Sequence, residues 1–265
     1  LPNGRFEFVN PAWLDKLGYT AEEVDDLIIW DVIHPDSLEH CQELFAIAMQ
    51  GVVLTDIDVI FQTEDGRALP AKGNATFRQI DGEIVDIGRR FFDMNEPNLN
   101  VVVDDGRYYL SRTDRKYDVI GVDAYRQPYI PFHLTTKEFF QSASDHLNDD
   151  GVVVLNAGRT STDFRLVDVM AATMASVFPN VYIIDVERFT NSMVIATKQP
   201  TDVANFAANI ARIPEDSLIR QVGDIALATG NIREWAGHDR VFTGDLAPVE
   251  LVVDQIILRA ATEEQ

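Results

Sequence analysis

The chain holds one cysteine, Cys41, among 265 residues. A single thiol excludes an internal disulfide and any cysteine-based zinc site. It is compatible with a reducing cytoplasm, which is the expected location. Long apolar runs are also missing. None approaches the roughly 20 residues that cross a bilayer, so no membrane span or membrane partner is expected. Positive charge is scarce: Lys and Arg total 22 against 43 Asp and Glu, a net charge of −21. Nucleic-acid binding wants a basic face, so that class is excluded. The acids are spread along the chain, with no acidic tail, low-complexity block or internal repeat. Such a balance commonly means solubility, and it also suits steering of cationic substrates.

A chain of this length is expected to form two domains. The most informative stretch runs from Val101 to Phe140. Val101-Val102-Val103 leads to Asp104-Asp105-Gly106, and Val119-Ile120-Gly121-Val122 leads to Asp123. Short β-branched runs read as buried parallel strands. Ligands of open α/β sheets lie beyond the carboxyl ends of the strands, so two carboxylates there can face one ligand. Adjacent residues on a strand point opposite ways, so Asp105 is expected to face the ligand and Asp104 the solvent. Downstream, helices are expected over 135–147, 163–178, 202–211, 218–229 and 249–260, with Thr135 or Thr136 as the first cap. Strands are expected at 152–156, 182–186 and 193–197.

This half resembles the spermidine synthase family of aminopropyltransferases. The segments carrying the likeness are Val101–Phe140, Gly151-Val-Val-Val-Leu-Asn156, Asn191-Ser-Met-Val-Ile-Ala-Thr197 and Thr243-Gly-Asp-Leu-Ala-Pro-Val-Glu250. The resemblance implies a Rossmann-like, methyltransferase-type sheet whose last strand runs antiparallel. It implies that Asp105 and Gly106 hold the adenine of decarboxylated S-adenosylmethionine, the co-substrate. Asp123 would be the base for an attacking diamine, with Pro128 at the matching offset. The family's second acid before that proline is Gln127 here. Tyr125, Gln127 and Tyr129 are the candidate substrate-binding residues; aromatic rings over an amine can act by cation–π attraction or simply pack. No metal ligand cluster is expected. Missing from the sequence upstream of Val101 is the G-x-G turn that brings backbone N–H groups to the nucleotide. The sheet is therefore expected to lack its Gly-rich first unit.

The first hundred residues resemble a PAS domain. The signs are Gly4-Arg-Phe-Glu-Phe-Val-Asn-Pro-Ala-Trp13, Leu17-Gly-Tyr-Thr-Ala-Glu-Glu23, Ile33-His-Pro-Asp36, Phe61-Gln-Thr-Glu-Asp-Gly66, Asp81-Gly-Glu-Ile-Val-Asp86 and Phe92-Asp-Met-Asn-Glu96. The residues themselves predict a strand over 5–9, a capping box at Thr20 and Glu23, and a helix over 36–49. Glu64-Asp65-Gly66 and Asp81-Gly82 predict hairpin turns in a three-strand antiparallel meander. A PAS domain carries one more strand before the first turn, so this module is expected to be clipped at its N-terminus. The domain assignment is 1–96 for this α+β sensory module and 97–265 for the synthase-like catalytic half.

Several residues keep structural readings. His133 reads as a surface loop histidine. Glu250, two residues after Pro248, reads as a first-turn acid, with Asp245 just before it. His40 and Cys41 stand where haem-binding PAS domains carry a ligand, yet a lone pair on an amphipathic helix is commonly neither. Trp13, Trp30, Phe45 and Phe77 read as core. The PAS ligand is left unassigned, and a homodimer stays open. Two functions follow. One is aminopropyl transfer to a putrescine-like diamine or polyamine, regulated by the PAS module. The other is a non-enzymatic PAS sensory or interaction protein on a degenerate methyltransferase-like scaffold.

Overall fold

A computed structural model describes residues 4–6, 9, 11–24, 26–48, 54–75, 82–125, 129–186, 190–228 and 231–263. It divides into two compact units, Leu1–Tyr108 and Tyr109–Gln265. No helix among the described residues is long and apolar enough to cross a membrane.

In the first unit, α1 (Pro11–Leu17) begins on a proline, whose fixed φ suits a first helical position. It stops at Gly18, whose φ of +85° is cheap only for glycine. Next, α2 (Ala21–Val24) opens on the expected capping box. The Glu23 N–H donates to Thr20 Oγ1 (3.3 Å), and the Thr20 N–H donates to Glu23 Oε2 (2.8 Å). A 3₁₀ turn (Ile29–Val32) leads to α3 (Pro35–Ala48). The inward face of α3 carries Ser37, Leu38, Cys41, Leu44, Phe45 and Ala48, while His40 is exposed. Ser37 Oγ accepts the Ile60 N–H at 3.2 Å and ties α3 to the hairpin. Trp30 and Phe45 meet edge to face at 5.2 Å. Trp13 is half-buried between Phe6 and Tyr19. Phe77 and the predicted 5–9 strand fall wholly or partly outside the described residues.

The antiparallel hairpin of β1 (Leu54–Gln62) and β2 (Ala68–Ala75) turns at 63–67, as expected from Glu64-Asp65-Gly66. The second hairpin is not formed. Instead of a third strand, α4 (Glu83–Phe91) follows Gly82. Ile84, Ile87 and Phe91 recur at intervals of three and four, and Arg89 and Arg90 close the last turn. Helical periodicity and the end dipole outweigh the short strand-like alternation. Val101–Val103 is also corrected. It belongs to no ladder among the described residues, and Val102 and Val103 are each about half exposed. A β-branched run becomes a strand only when a neighbour takes its backbone hydrogen bonds. The chain instead enters α5 (Gly106–Arg112).

The second unit is built on a mixed five-stranded sheet of order β3-β4-β6-β5-β7. Its strands are β3 (Tyr117–Val122), β4 (Leu147–Gly158), β5 (Asn180–Asp185), β6 (Asn191–Thr197) and β7 (Ile232–Glu234). Among the described strands only β3 and β4 are parallel neighbours; β6 runs antiparallel to both β4 and β5. The expected antiparallel strand is therefore β6, and β7 is a short addition that the sequence did not suggest. Between them come α6 (Lys137–Asp145), α7 (Arg165–Ala175), α8 (Val203–Ile210) and α9 (Leu218–Ala228), and α10 (Val249–Glu263) follows β7. Thr136 is the α6 cap, accepting the Phe139 N–H at 3.3 Å. Thr135 instead donates to Phe132 O at 2.6 Å.

Val153, Leu155 and Ala157 of β4 point to one face and are fully buried. They join Ile183, Val194 and Ala196 in one core with Phe140, Met170, Met174 and Val253 from α6, α7 and α10. The alternate residues Val152, Val154, Asn156 and Gly158 lie on the other, half-buried face. That two-residue period decides which side chains reach the site.

Candidate active site

Asp123 follows the last residue of β3, at the carboxyl end of the one parallel pair. Val122 pairs with Leu155, so the next residues along, Asp123 and Asn156, are neighbours. Asn156 Nδ2 donates to Asp123 Oδ1 at 3.0 Å. Asn191 opens β6, and its Nδ2 donates to Asn156 Oδ1 at 2.8 Å. The register explains the second contact. Asn156 pairs with Met193 and Gly158 with Asn191, which makes Asn156 and Asn191 diagonal neighbours on one face.

Tyr125 joins this group from the loop after β3. Its hydroxyl donates to the main-chain oxygen of Asn156 at 2.6 Å. Burial pushes its phenol up to about 12, a hydrogen bond from the Gly158 N–H opposes this, and the Asp123 carboxylate adds to it. Tyr125 is therefore a neutral donor at neutral pH. Its ionised form is disfavoured in the folded state, so its stabilising effect is complete below the ordinary value of 10.0 and is lost as pH rises through about 12. Solvent screening tempers the effect, because the residue keeps 36% of its surface exposed. Alkaline titration followed at 295 nm is expected to give the same tyrosinate signal up to pH ~11 in wild type and Tyr125→Phe. A step near pH ~10 that vanishes in Tyr125→Phe would contradict this.

The Tyr129 hydroxyl donates to Asp254 Oδ1 of α10 at 2.7 Å. Gln127 and Pro128 lie outside the described residues. His133 is half-buried, edge-on to the Phe132 ring at 5.7 Å. Asp245 and Glu250 are exposed, and Glu250 stands in the first turn of α10. Asp105 and Gly106 belong to the first unit. Asp105 Oδ1 accepts the N–H groups of Arg107 (2.9 Å) and Tyr108 (3.0 Å), capping α5. Asp104 is exposed and accepts the Asp105 N–H at 2.9 Å. A Cβ on Gly106 would meet nothing within 4 Å.

Asn156 and Asn191 were not singled out from the sequence. The signal was a polar residue ending one apolar run and opening another, at the strand end already occupied by Asp123. A further polar cluster lies at the ends of β4 and β5. Asp185 accepts from Ser192 Oγ (2.6 Å) and pairs with Arg159 (3.8 Å) and Arg233 (3.4 Å). Burial raises the nearby Asp168 carboxyl, and Arg233 opposes the shift. Among the described residues, no three His, Cys, Asp or Glu side chains could hold a metal ion.

A family model described as the spermine/spermidine synthase domain matches residues 67–208. A PAS domain model matches residues 1–92. A protein named probable polyamine aminopropyl transferase, from Bifidobacterium longum (strain NCC 2705), is 33% identical over 206 residues, 70% of this chain and 46% of that protein. A polyamine aminopropyltransferase from Vibrio vulnificus (strain CMCP6) is 35% identical over 121 residues, 44% of this chain and 40% of that one. The chain thus spans about half the length of these relatives. Among solved structures, a probable spermidine synthase from Corynebacterium glutamicum ATCC 13032 is similar over 62% of this chain and 63% of that one, with 22% identity and a TM-score of 0.44.

Proposed function

The chain belongs to the spermine/spermidine synthase family, and from that premise we propose that it serves aminopropyl transfer from decarboxylated S-adenosylmethionine to a diamine or polyamine. The observation that carries this reading is the placement of Asp123. It directly follows the last residue of a strand of the parallel pair, with one oxygen held by Asn156. That is where a carboxylate can take a proton from an attacking amine. The amine nitrogen forms a bond to the carbon beside the sulfonium, and the carbon–sulfur bond breaks. The bonding pair goes to sulfur, methylthioadenosine leaves, and the amine proton goes to Asp123.

Tyr125 supplies a neutral hydroxyl and an aromatic ring beside Asp123; Gln127 and the ring of Tyr129, whose hydroxyl is taken by Asp254, complete the proposed amine contacts. Asp105 and Gly106 are proposed to meet adenine. Among the described residues nothing lies within 4 Å of a Cβ built on Gly106, which leaves room for this contact. The same Asp105 also caps α5, and that observation favours the rival reading, a PAS sensory protein on a degenerate scaffold. Turnover by the polypeptide as encoded, with decarboxylated S-adenosylmethionine and putrescine, decides between them. Methylthioadenosine release dependent on the diamine is expected. Nucleotide binding without release would favour the rival. A G-x-G strand–turn–helix segment encoded elsewhere in the polypeptide would favour the enzyme.

A cytoplasmic location is part of the proposal, resting on the single free thiol Cys41. So is the division into a PAS-like sensory module over 1–96 and a catalytic part over 97–265. Hydrogen exchange is expected to resolve two cooperative units. One unit, with uniform protection running through residues 96–109, would contradict it.

A further inference from the structure

On the reading of Asp123 as proton acceptor, we propose that Asn191 is a positioning residue: through Asn156 it fixes which Asp123 oxygen receives the amine proton. An ionised carboxylate can only accept hydrogen bonds, so Asn156 must turn its NH₂ end toward Asp123. A side-chain amide has a donor end and an acceptor end of nearly the same shape, and a half-turn exchanges them. Asp123 alone contacts only one end. Asn191 contacts the other, donating to Asn156 Oδ1 at 2.8 Å. The two contacts agree, and together they hold the amide in one orientation.

The main chain on either side is held as well. Tyr125 donates to Asn156 O at 2.6 Å, which joins the loop after β3 to the end of β4. Asn191 is held in register by pairing with Gly158. The result is an asymmetric carboxylate. Oδ1 accepts from Asn156, whereas Oδ2 has no hydrogen bond or ion pair among the described residues. The Oδ2 lone pair is the one left for the proton given up as the nitrogen–carbon bond forms and the carbon–sulfur bond breaks.

The diagnostic variant is Asn191→Asp. It keeps the shape of Asn191 but replaces its donor with an acceptor. Asn156 would then stand between two acceptors that compete for its one NH₂ end, and its carbonyl would lose its donor, so the bond to Asp123 Oδ1 would no longer be fixed. Asn191→Ala only removes the contact and leaves Asp123 to orient Asn156 unaided. The expected order of kcat is therefore wild type, then Asn191→Ala, then Asn191→Asp. The alanine variant should lose roughly three- to tenfold, the factor that one neutral hydrogen bond represents. KM for the diamine should change less than kcat in both. A purely structural role predicts the opposite order, since Asp fills the space that Ala vacates.

A second readout needs no turnover. The side-chain ¹⁵N–¹H signals of Asn156 are followed in the full chain by NMR. In wild type the pair should be distinct and slow to exchange with water. In Asn191→Asp both signals should move, and in Asn191→Ala their exchange should quicken. Unchanged Asn156 signals in Asn191→Asp would overturn the proposal, as would greater loss of kcat in Asn191→Ala. The kcat comparison uses the polypeptide as encoded; if its wild type shows no transfer, the enzymatic reading fails, and the Asn156 signals still decide whether Asn191 sets the amide.

Discussion

Asp123→Asn is expected to lower kcat by about 10² to 10⁴-fold, the range over which a positioned general base acts. The substitution changes almost nothing in shape. It removes the negative charge and the basic oxygen, and an amide oxygen does not take the proton of an attacking amine at neutral pH. It also sets the introduced amide against that of Asn156, where one carboxylate accepted a bond of 3.0 Å. Affinity for the nucleotide should remain, because its proposed contacts are Asp105 and Gly106. The diamine should bind less tightly, having lost an ionic partner. The measurement is methylthioadenosine release by the polypeptide as encoded, at saturating and limiting diamine. A loss under tenfold would remove Asp123 from the role of base and would shift attention to a group in the loop carrying Gln127.

How much of this was legible in the sequence depended on whether an element carries its own signal. The second unit was largely readable because its strands and helices announce themselves by period. Val152–Leu155 and Met193–Ala196 are strong apolar runs, and α8, α9 and α10 start at or near the expected residues. Asp202 caps α8 and Thr136 caps α6, both by side-chain bonds to the first turn. The failures lie where a run needs a neighbour to define it. Val101–Val103 has strand composition but no ladder among the described residues, and a strand was expected after the Asp81-Gly82 turn although the apolar positions of 83–91 follow a helical period. The site was half legible. Asp123 was proposed from its strand end, and Tyr125 from its position in the following loop. Asn156 and Asn191 were missed because their importance comes from pairing register. Nothing local to either residue says that β6 lies antiparallel beside β4, with the two amides on a shared diagonal.

Taken alone, these 265 residues are expected to bind decarboxylated S-adenosylmethionine weakly, above the micromolar range, and to turn over little or none of it. The contact proposed for adenine is one carboxylate, Asp105, and its Oδ1 already accepts two N–H groups at the start of α5. The sequence upstream of Val101 has no G-x-G turn to bring backbone N–H groups to the nucleotide, and no acid at the end of a second strand for the ribose. A hydrogen bond to a charged group contributes roughly 1.5–3 kcal/mol, so the loss of several corresponds to several kcal/mol. In affinity that is about two or more decades. Calorimetry with the nucleotide and with methylthioadenosine measures it directly. Micromolar binding, with turnover that Asp123→Asn abolishes, would show that another surface supplies the missing contacts. The PAS-like module or a partner subunit would then be examined first. Micromolar binding that Asp123→Asn leaves intact, with no turnover in either form, would instead mark the α/β half as a nucleotide-sensing scaffold. Asp105 would then be the residue to substitute next. The carboxylate's capping role makes Asp105→Asn the informative change: the amide keeps an oxygen for the α5 N–H groups and loses only the charge. Loss of nucleotide binding in that variant, with the helix retained, would assign Asp105 to the ligand.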